Sequence, residues 1–192
     1  MTLIGITGPM GSGKTLLATA LAVDISRTYG RVVLANYRID AEKAGIPGRY
    51  EYLTPDQLLS YAKRFSDVIV GKVLVLDEIY AFGLDSRMSS SALNRISSYV
   101  VFQTRKLDTD LIYTAQLFGA VDLRIRQLTD LLIAARRAPD GFSYTFWRRD
   151  TDAVRTYFMP ESAARRIYAL YNTKEIINPV YQVKERVRRE QE

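Results

Sequence analysis

Apolar residues in this chain fall into two kinds of block: short unbroken runs, and longer stretches at helical spacing. Leu3-Ile4-Gly5-Ile6-Thr7 is the first short run and reads as a buried strand. Residues 16–30, LLATALAVDISRTYG, repeat their apolar positions with helical spacing and stop at Gly30, a C-cap candidate. Val32-Val33-Leu34-Ala35-Asn36 predicts a second strand. Residues 37–53 are polar, with Gly45-Ile46-Pro47-Gly48 marking a loop. Thr54-Pro55-Asp56 then opens a helix over LLSYAKRF, with Thr as N-cap and Pro in the first turn.

Residues 72–78, KVLVLDE, predict a third strand; it is apolar throughout and therefore central, and it ends in two carboxylates. Residues 89–104 predict a helix, 111–114 (LIYT) a fourth strand and 131–135 (LLIAA) a fifth. Strands alternating with helices predict an α/β fold, a mostly parallel central sheet flanked by helices. The pattern then changes. Ala138-Pro139-Asp140-Gly141 is a turn, FSYTFWRR behind it alternates, and a second turn at 150–152 leads into AVRTYFM. That is an antiparallel hairpin or three-stranded meander joined to the parallel core. A helix (ESAARRIYALY) and a basic tail (KERVRREQE) follow. The expected organisation is one domain over 1–192: a nucleotide-binding core at 1–137, a hairpin extension at 138–160, and a C-terminal helix with basic tail at 161–192.

Composition narrows the chemistry. The chain has 192 residues, 47% hydrophobic and 25% charged, values ordinary for a globular domain. No apolar run approaches the ~18 residues of a membrane span, and Met1-Thr2-Leu3-Ile4 lacks the basic start of a signal peptide, so the cytoplasm is the expected compartment. With no Cys and no His there is no disulfide framework, no cysteine or histidine nucleophile or base, and no basis for a zinc centre. The net charge of +6, carried by 20 Arg and 7 Lys, suits an acidic partner such as nucleic acid.

The candidate chemistry lies at the strand ends. Gly8-Pro9-Met10-Gly11-Ser12-Gly13-Lys14-Thr15 matches G-x-x-x-x-G-K-T, after a strand and opening a helix, as the phosphate-binding loop requires. Its glycines let successive N–H groups turn toward phosphate oxygens at the helix N-terminus. Lys14 would reach the β- and γ-phosphates of ATP, and the Thr15 hydroxyl would ligate Mg²⁺. An apolar strand ending in Asp77 supplies the second Mg²⁺ contact, and Glu78 is placed to polarise an attacking water. An acid so placed would equally serve a kinase.

In a P-loop sheet the strand after the acidic one commonly lies beside the P-loop strand. Gln116, at the C-terminal end of that strand, would then face the γ-phosphate and hydrogen-bond phosphate or water without competing for the metal. Arg105 lies at the opposite end of the same strand, roughly 15–20 Å away. It suits an arginine finger acting in trans on a neighbouring subunit's nucleotide, or equally a helix C-terminal charge favoured by the dipole. Arg87 is the second choice for a finger.

The order of P-loop, strand-Asp-Glu, Arg before a strand, strand ending in Gln, then a C-terminal hairpin resembles the HerA–FtsK superfamily of DNA-pumping ATPases. Within it, TRKLDTDLIYTAQLFGAVDLRIRQLTD is similar to small genome-packaging ATPases of viruses with membrane-containing icosahedral capsids, and to the related Zot-like ATPases of filamentous phages. The resemblance covers roughly residues 3–160. It implies a RecA-like (ASCE) P-loop fold and an ATP- and Mg²⁺-dependent motor working as a homomeric ring, pentameric or hexameric. It further implies DNA as cargo, a capsid vertex protein as docking partner, and a place in the host cytoplasm at the virion vertex. Zot-like proteins carry a membrane span after the ATPase domain, and the lack of one here favours the packaging branch.

Two alternatives stay open: a Zot-like assembly or secretion NTPase that pumps no DNA, and a nucleoside kinase. The loop GPMxSGKT also resembles that of type II thymidine kinases, which however close a cysteine zinc site. DNA contacts of a motor would be basic; the candidates are Arg124, Arg126, Arg136, Arg137, Arg148 and Arg149. Each of these can equally be a solvated or interface charge.

Overall fold

The computed structural model describes residues 2–54, 57–58, 60–61, 67–82 and 106–172. The predicted helix at 89–104, the finger candidates Arg87 and Arg105, and the basic tail lie outside the described residues. The strands are β1 (Leu3–Thr7), β2 (Val33–Ala35), β3 (Tyr50–Tyr52), β4 (Val73–Leu76), β5 (Asp110–Ala115), β6 (Leu131–Ala138), β7 (Gly141–Arg148) and β8 (Ala153–Pro160). They form one eight-stranded sheet in the order β3-β2-β4-β5-β1-β6-β7-β8. Pairing is parallel from β3 through β6 and antiparallel from β6 to β8. Among the described residues the helices with both ends defined are α1 (Lys14–Tyr29), α2 (Leu123–Leu128) and α3 (Glu161–Tyr168).

The inner parallel strands β1, β2, β4 and β5 are mostly apolar because both faces are covered, and side-chain alternation divides their residues between the two faces. On the α1 face sit Ile4, Ile6, Val33, Ala35, Val73, Val75, Ile112 and Ile133, packed against Leu16, Leu17, Ala22 and Val23 of the helix and Ala164 of α3. On the other face Leu3, Leu34, Leu74, Leu76, Leu111 and Tyr113 meet Leu58, Val121 and Ile125. Leu74 is completely buried, and truncation to Ala would cost about 2–5 kcal/mol. Gly5 is glycine because Tyr113 crosses it: a Cβ there would lie 2.4 Å from the tyrosine hydroxyl oxygen.

Two features differ from the sequence expectation. Residues 50–52, inside the stretch read as polar loop, pair in parallel with β2 as the sheet edge. The basic stretch after Gln116 contains α2, capped by Asp122 whose carboxylate accepts the Arg124 N–H. The meander joins the parallel core as the sequence predicts. β6 is shared, parallel to β1 on one side and antiparallel to β7 on the other, so a single sheet runs through both regions.

Candidate nucleotide-binding site

The loop between β1 and α1 is shaped by backbone that only glycine adopts readily. Gly8, Gly11 and Gly13 have φ of 153°, 74° and 85°, and a Cβ on Gly8 would lie 2.3 Å from the Ala135 carbonyl oxygen. The Ser12 N–H donates to the Pro9 carbonyl (3.2 Å), closing the turn. Gly13 is the N-cap of α1, and no side chain caps the helix. The first-turn N–H groups are therefore left to an anion, as phosphate binding requires. Lys14, buried to 6% exposure, bends over the loop: its Nζ donates to the Pro9 carbonyl at 3.1 Å and stands 3.9 Å from Glu78 Oε1. Ser12 Oγ is buried inside the loop with no hydrogen-bond partner, while Met10 at its tip is exposed.

The topology delivers the acids to this loop. β5 lies between β1 and β4, so the C-terminal ends of all three strands meet above α1. Asp77 follows β4 directly. Its carboxylate accepts from Thr15 Oγ1 (2.9 and 3.0 Å) and from Thr114 Oγ1 (2.7 Å). Its peptide is clamped by Asn36, which accepts the Asp77 N–H (2.7 Å) and donates to the Asp77 carbonyl (2.9 Å). Thr114 Oγ1 also accepts the Glu78 N–H at 2.9 Å. One hydroxyl thus ties the two acids together. Glu78 sits in the left-handed region at φ 50°, a strained conformation of the kind that persists where surrounding contacts impose it.

Burial pushes the Asp77 carboxyl up, and the hydrogen bonds from Thr114 and Thr15 with the Lys14 charge pull it back. Burial also raises Glu78, opposed by Lys14 and reinforced by the neighbouring Asp77. Thr15 Oγ1 and the Asp77 carboxylate form an oxygen-only pair beside the anion cradle. That donor set fits Mg²⁺, a hard cation ordinarily held by one or two protein oxygens plus substrate phosphates. Among the described residues no three acidic side chains gather into a self-sufficient metal cage.

Gln116 follows β5 and is exposed. Ala115 before it pairs with Thr7, and the Gly8 N–H donates to the Ala115 carbonyl at 3.3 Å, so Gln116 leaves the sheet beside the loop. The basic candidates are not drawn together in the same way. Arg124 forks onto Asp122 through Nε and Nη2 (2.9 and 2.8 Å). Arg126 Nε donates to the Val121 carbonyl, Arg148 pairs with Asp150, and Arg149 Nη1 donates to the Gln127 carbonyl. Arg137 lies over the Phe142 ring and bridges to Glu161 at 3.0 Å. Arg136 is exposed on β6.

Sequence reasoning missed Asn36, Thr114 and Tyr144, whose hydroxyl donates to the Gly13 carbonyl at 3.0 Å. Asn36 and Thr114 did leave a signal: each is a polar residue at the end of an otherwise apolar strand run. Tyr144 left none, being 131 positions from its partner.

A glycine loop opening a helix, with an acidic pair at the end of a central strand two positions away in the sheet, defines a P-loop ATPase that binds ATP. The chain belongs to the ATPase family associated with various cellular activities (AAA), whose sequence profile matches residues 4–149. It is 35% identical over 85 residues to Lon protease 2 of Sorangium cellulosum, and 26% identical over 153 residues to the Lon protease of Mesomycoplasma hyopneumoniae. Those stretches are 44% and 75% of this chain but only 10% and 17% of the two proteases.

The fold is similar to the N-terminal domain of zonular occludens toxin from Neisseria meningitidis (TM-score 0.60, 19% identity, 89% of this chain and 98% of that one). It is equally similar to the genome packaging NTPase B204 of Sulfolobus turreted icosahedral virus 2 in complex with AMP (TM-score 0.61, 12% identity, 83% and 97%). A KaiC-like protein from Pyrococcus horikoshii gives a TM-score of 0.55 at 18% identity over 82% and 84% of the chains. At these identities the likeness speaks for the fold, a RecA-like sheet. Among the described residues no helix is long and apolar enough to cross a membrane.

Proposed function

We propose that the protein is an Mg²⁺-ATP-dependent translocase of the HerA–FtsK type. In this reading it drives double-stranded DNA into a preformed viral capsid as a pentameric or hexameric ring in the host cytoplasm, docked on a capsid vertex protein. The observation that carries the reading is the position of β5. It brings Gln116 to the loop from the strand between β1, which ends at Thr7, and β4, which leads into Asp77. Motif order along 101–130 and the nearly complete coverage of both the packaging NTPase and the toxin domain support it.

Within the site, the loop N–H groups and Lys14 hold the phosphates, and Thr15 with Asp77 would hold Mg²⁺, which would supply positive charge against the phosphates. Glu78 Oε1 polarises the attacking water, and Thr114 keeps that acid in register with Asp77. Gln116 senses the γ-phosphate. Arg105 completes the site of the neighbouring subunit, with Arg87 as second choice. Of the basic candidates, Arg137, Arg148 and Arg149 are exposed but engaged by Glu161, Asp150 and the Gln127 carbonyl, which leaves exposed Arg136 as the one best placed to meet a phosphate backbone.

The test is the ATPase rate with and without double-stranded DNA, beside a thymidine phosphorylation assay. Stimulation by DNA of any sequence, lost as salt rises, is expected. ATP turnover indifferent to DNA would replace this reading with an assembly or secretion NTPase, and phosphothymidine would replace it with a kinase. Rings mixed from Arg105→Ala and Glu78→Gln subunits should regain part of the activity that each lacks alone; failure to do so, with mixed rings confirmed by mass, removes Arg105 from the site.

A further inference from the structure

We propose that Tyr144 is a positioning residue of the phosphate loop, one that holds the Gly13–Lys14 peptide so that its N–H faces the bound phosphates. The inference rests on the nucleotide-binding reading of the loop. Tyr144 lies on β7, outside the parallel core, 2% exposed. Its hydroxyl donates to the Gly13 carbonyl at 3.0 Å, and the Leu17 N–H donates to the same oxygen at 3.0 Å. Phe142, stacked on Tyr144 with centroids 6.4 Å apart, closes the same spot. A Cβ on Gly13 would lie 2.6 Å from the Phe142 ring and 2.7 Å from the Tyr144 oxygen.

A glycine loop is built to approach phosphate closely, and the same glycines leave it conformationally loose. Most helices restrain their first turn with a side-chain N-cap, which accepts hydrogen bonds from the N–H groups of that turn. A cap of that kind here would occupy the donors that phosphate needs, and α1 has none. The restraint comes from the acceptor side instead. Because the peptide is planar and trans, its C=O and N–H point in opposite directions. Two donors on the Gly13 oxygen therefore aim the Lys14 N–H at the cradle while leaving it vacant for the ligand. The meander thus contributes to the nucleotide site by carrying a donor to the back of the loop.

The test is Tyr144→Phe in the full chain. The ring and its packing stay, and the Gly13 oxygen keeps its bond from Leu17, so no buried acceptor is stranded and the fold should persist. Loss of one hydrogen bond predicts ATP affinity weaker by about two- to tenfold. With kcat nearly unchanged, the effect falls on KM, as expected for contacts equally present in ground and transition states. Inorganic tripolyphosphate, competed against ATP, should lose affinity by the same factor, because the contact is to phosphate. Tyr113→Phe, which removes a hydroxyl bonded to Thr129 Oγ1 at 2.8 Å on the opposite face, is the control and should leave affinity alone. Unchanged ATP affinity in Tyr144→Phe overturns the inference, and so does an equal loss in Tyr113→Phe, or a loss for ATP without one for tripolyphosphate. None of these outcomes touches the loop assignment itself, which stands or falls with Lys14.

Discussion

The parallel strand ends and the antiparallel meander share one sheet yet handle polar groups in opposite ways. At the ends of β1, β2, β4 and β5, polar side chains are buried or half-buried and partner one another: Thr15 and Thr114 on the Asp77 carboxylate, Asn36 on its peptide, Lys14 near Glu78. Along β6 to β8 the charged groups are exposed, and most guanidiniums are engaged by acids or carbonyls close at hand. Buried polar networks fix geometry because every unmade bond is costly; exposed ion pairs contribute little and release their charge easily. The first region is built to hold atoms in place. The second presents charge, with Tyr144 and Phe142 as its anchors in the first.

That contrast orders the expected effects of substitution. Lys14→Ala should have the largest, abolishing hydrolysis and ATP binding together by removing the cation that meets the phosphates; isothermal titration and turnover assays check both. Normal turnover by that variant would end the P-loop assignment.

Glu78→Gln should come next, with hydrolysis down by about 10²–10⁴ while ATP still binds, since Asp77 and Thr15 are untouched. The same variant should be more heat-stable than the parent in metal-free buffer at neutral pH. Burial raises the Glu78 carboxyl, so the folded chain holds that proton more tightly than the unfolded one. The acid then contributes most to stability below its unfolded pKa, and the contribution is lost as pH rises through the folded value. The advantage of Gln should therefore shrink as pH falls into the ordinary carboxyl range, and thermal melts across that range measure it. A constant advantage at every pH would contradict the burial effect.

Asn36→Ala leaves the Asp77 N–H and C=O without the side chain that clamps both. A stability loss of about 1–3 kcal/mol is expected, with turnover reduced because the acid is no longer held; denaturant unfolding and kcat report the two separately. The smallest effects belong to the meander. Arg137→Ala should change stability by less than about 1 kcal/mol. Under the proposed translocase reading, Arg136→Ala should lower the salt slope of DNA binding by about one, leaving ATP affinity alone. A large loss of nucleotide affinity from either would erase the division between the two regions.

Much of this site is legible without coordinates, because its chemistry is local. A glycine spacing that requires positive φ, a lysine and a threonine that follow it, and an acid ending an apolar run are neighbours in sequence, and residues 8–15 and 77–78 carry them all. Strand 50–52 was not legible: Tyr-Glu-Tyr has no apolar run, and it becomes a strand because β2 offers an open parallel edge. The basic candidates looked alike for the same reason in reverse. Nothing in the letters RR distinguishes Arg137, set over Phe142 and paired with Glu161, from exposed Arg136.

By itself, then, the sequence determined the loop, the acidic strand end, the alternation of strand and helix, and the change of period at 138, since backbone preference and side-chain period act over a few residues. Tertiary structure alone decided that β5 lies between β1 and β4, that Thr114 and Asn36 lock the acids, and that Tyr144 reaches the back of the loop. Those contacts join residues 37, 41 and 131 positions apart. Pairings at such distance depend on how whole strands order themselves in the sheet, and no short stretch of chain carries that information.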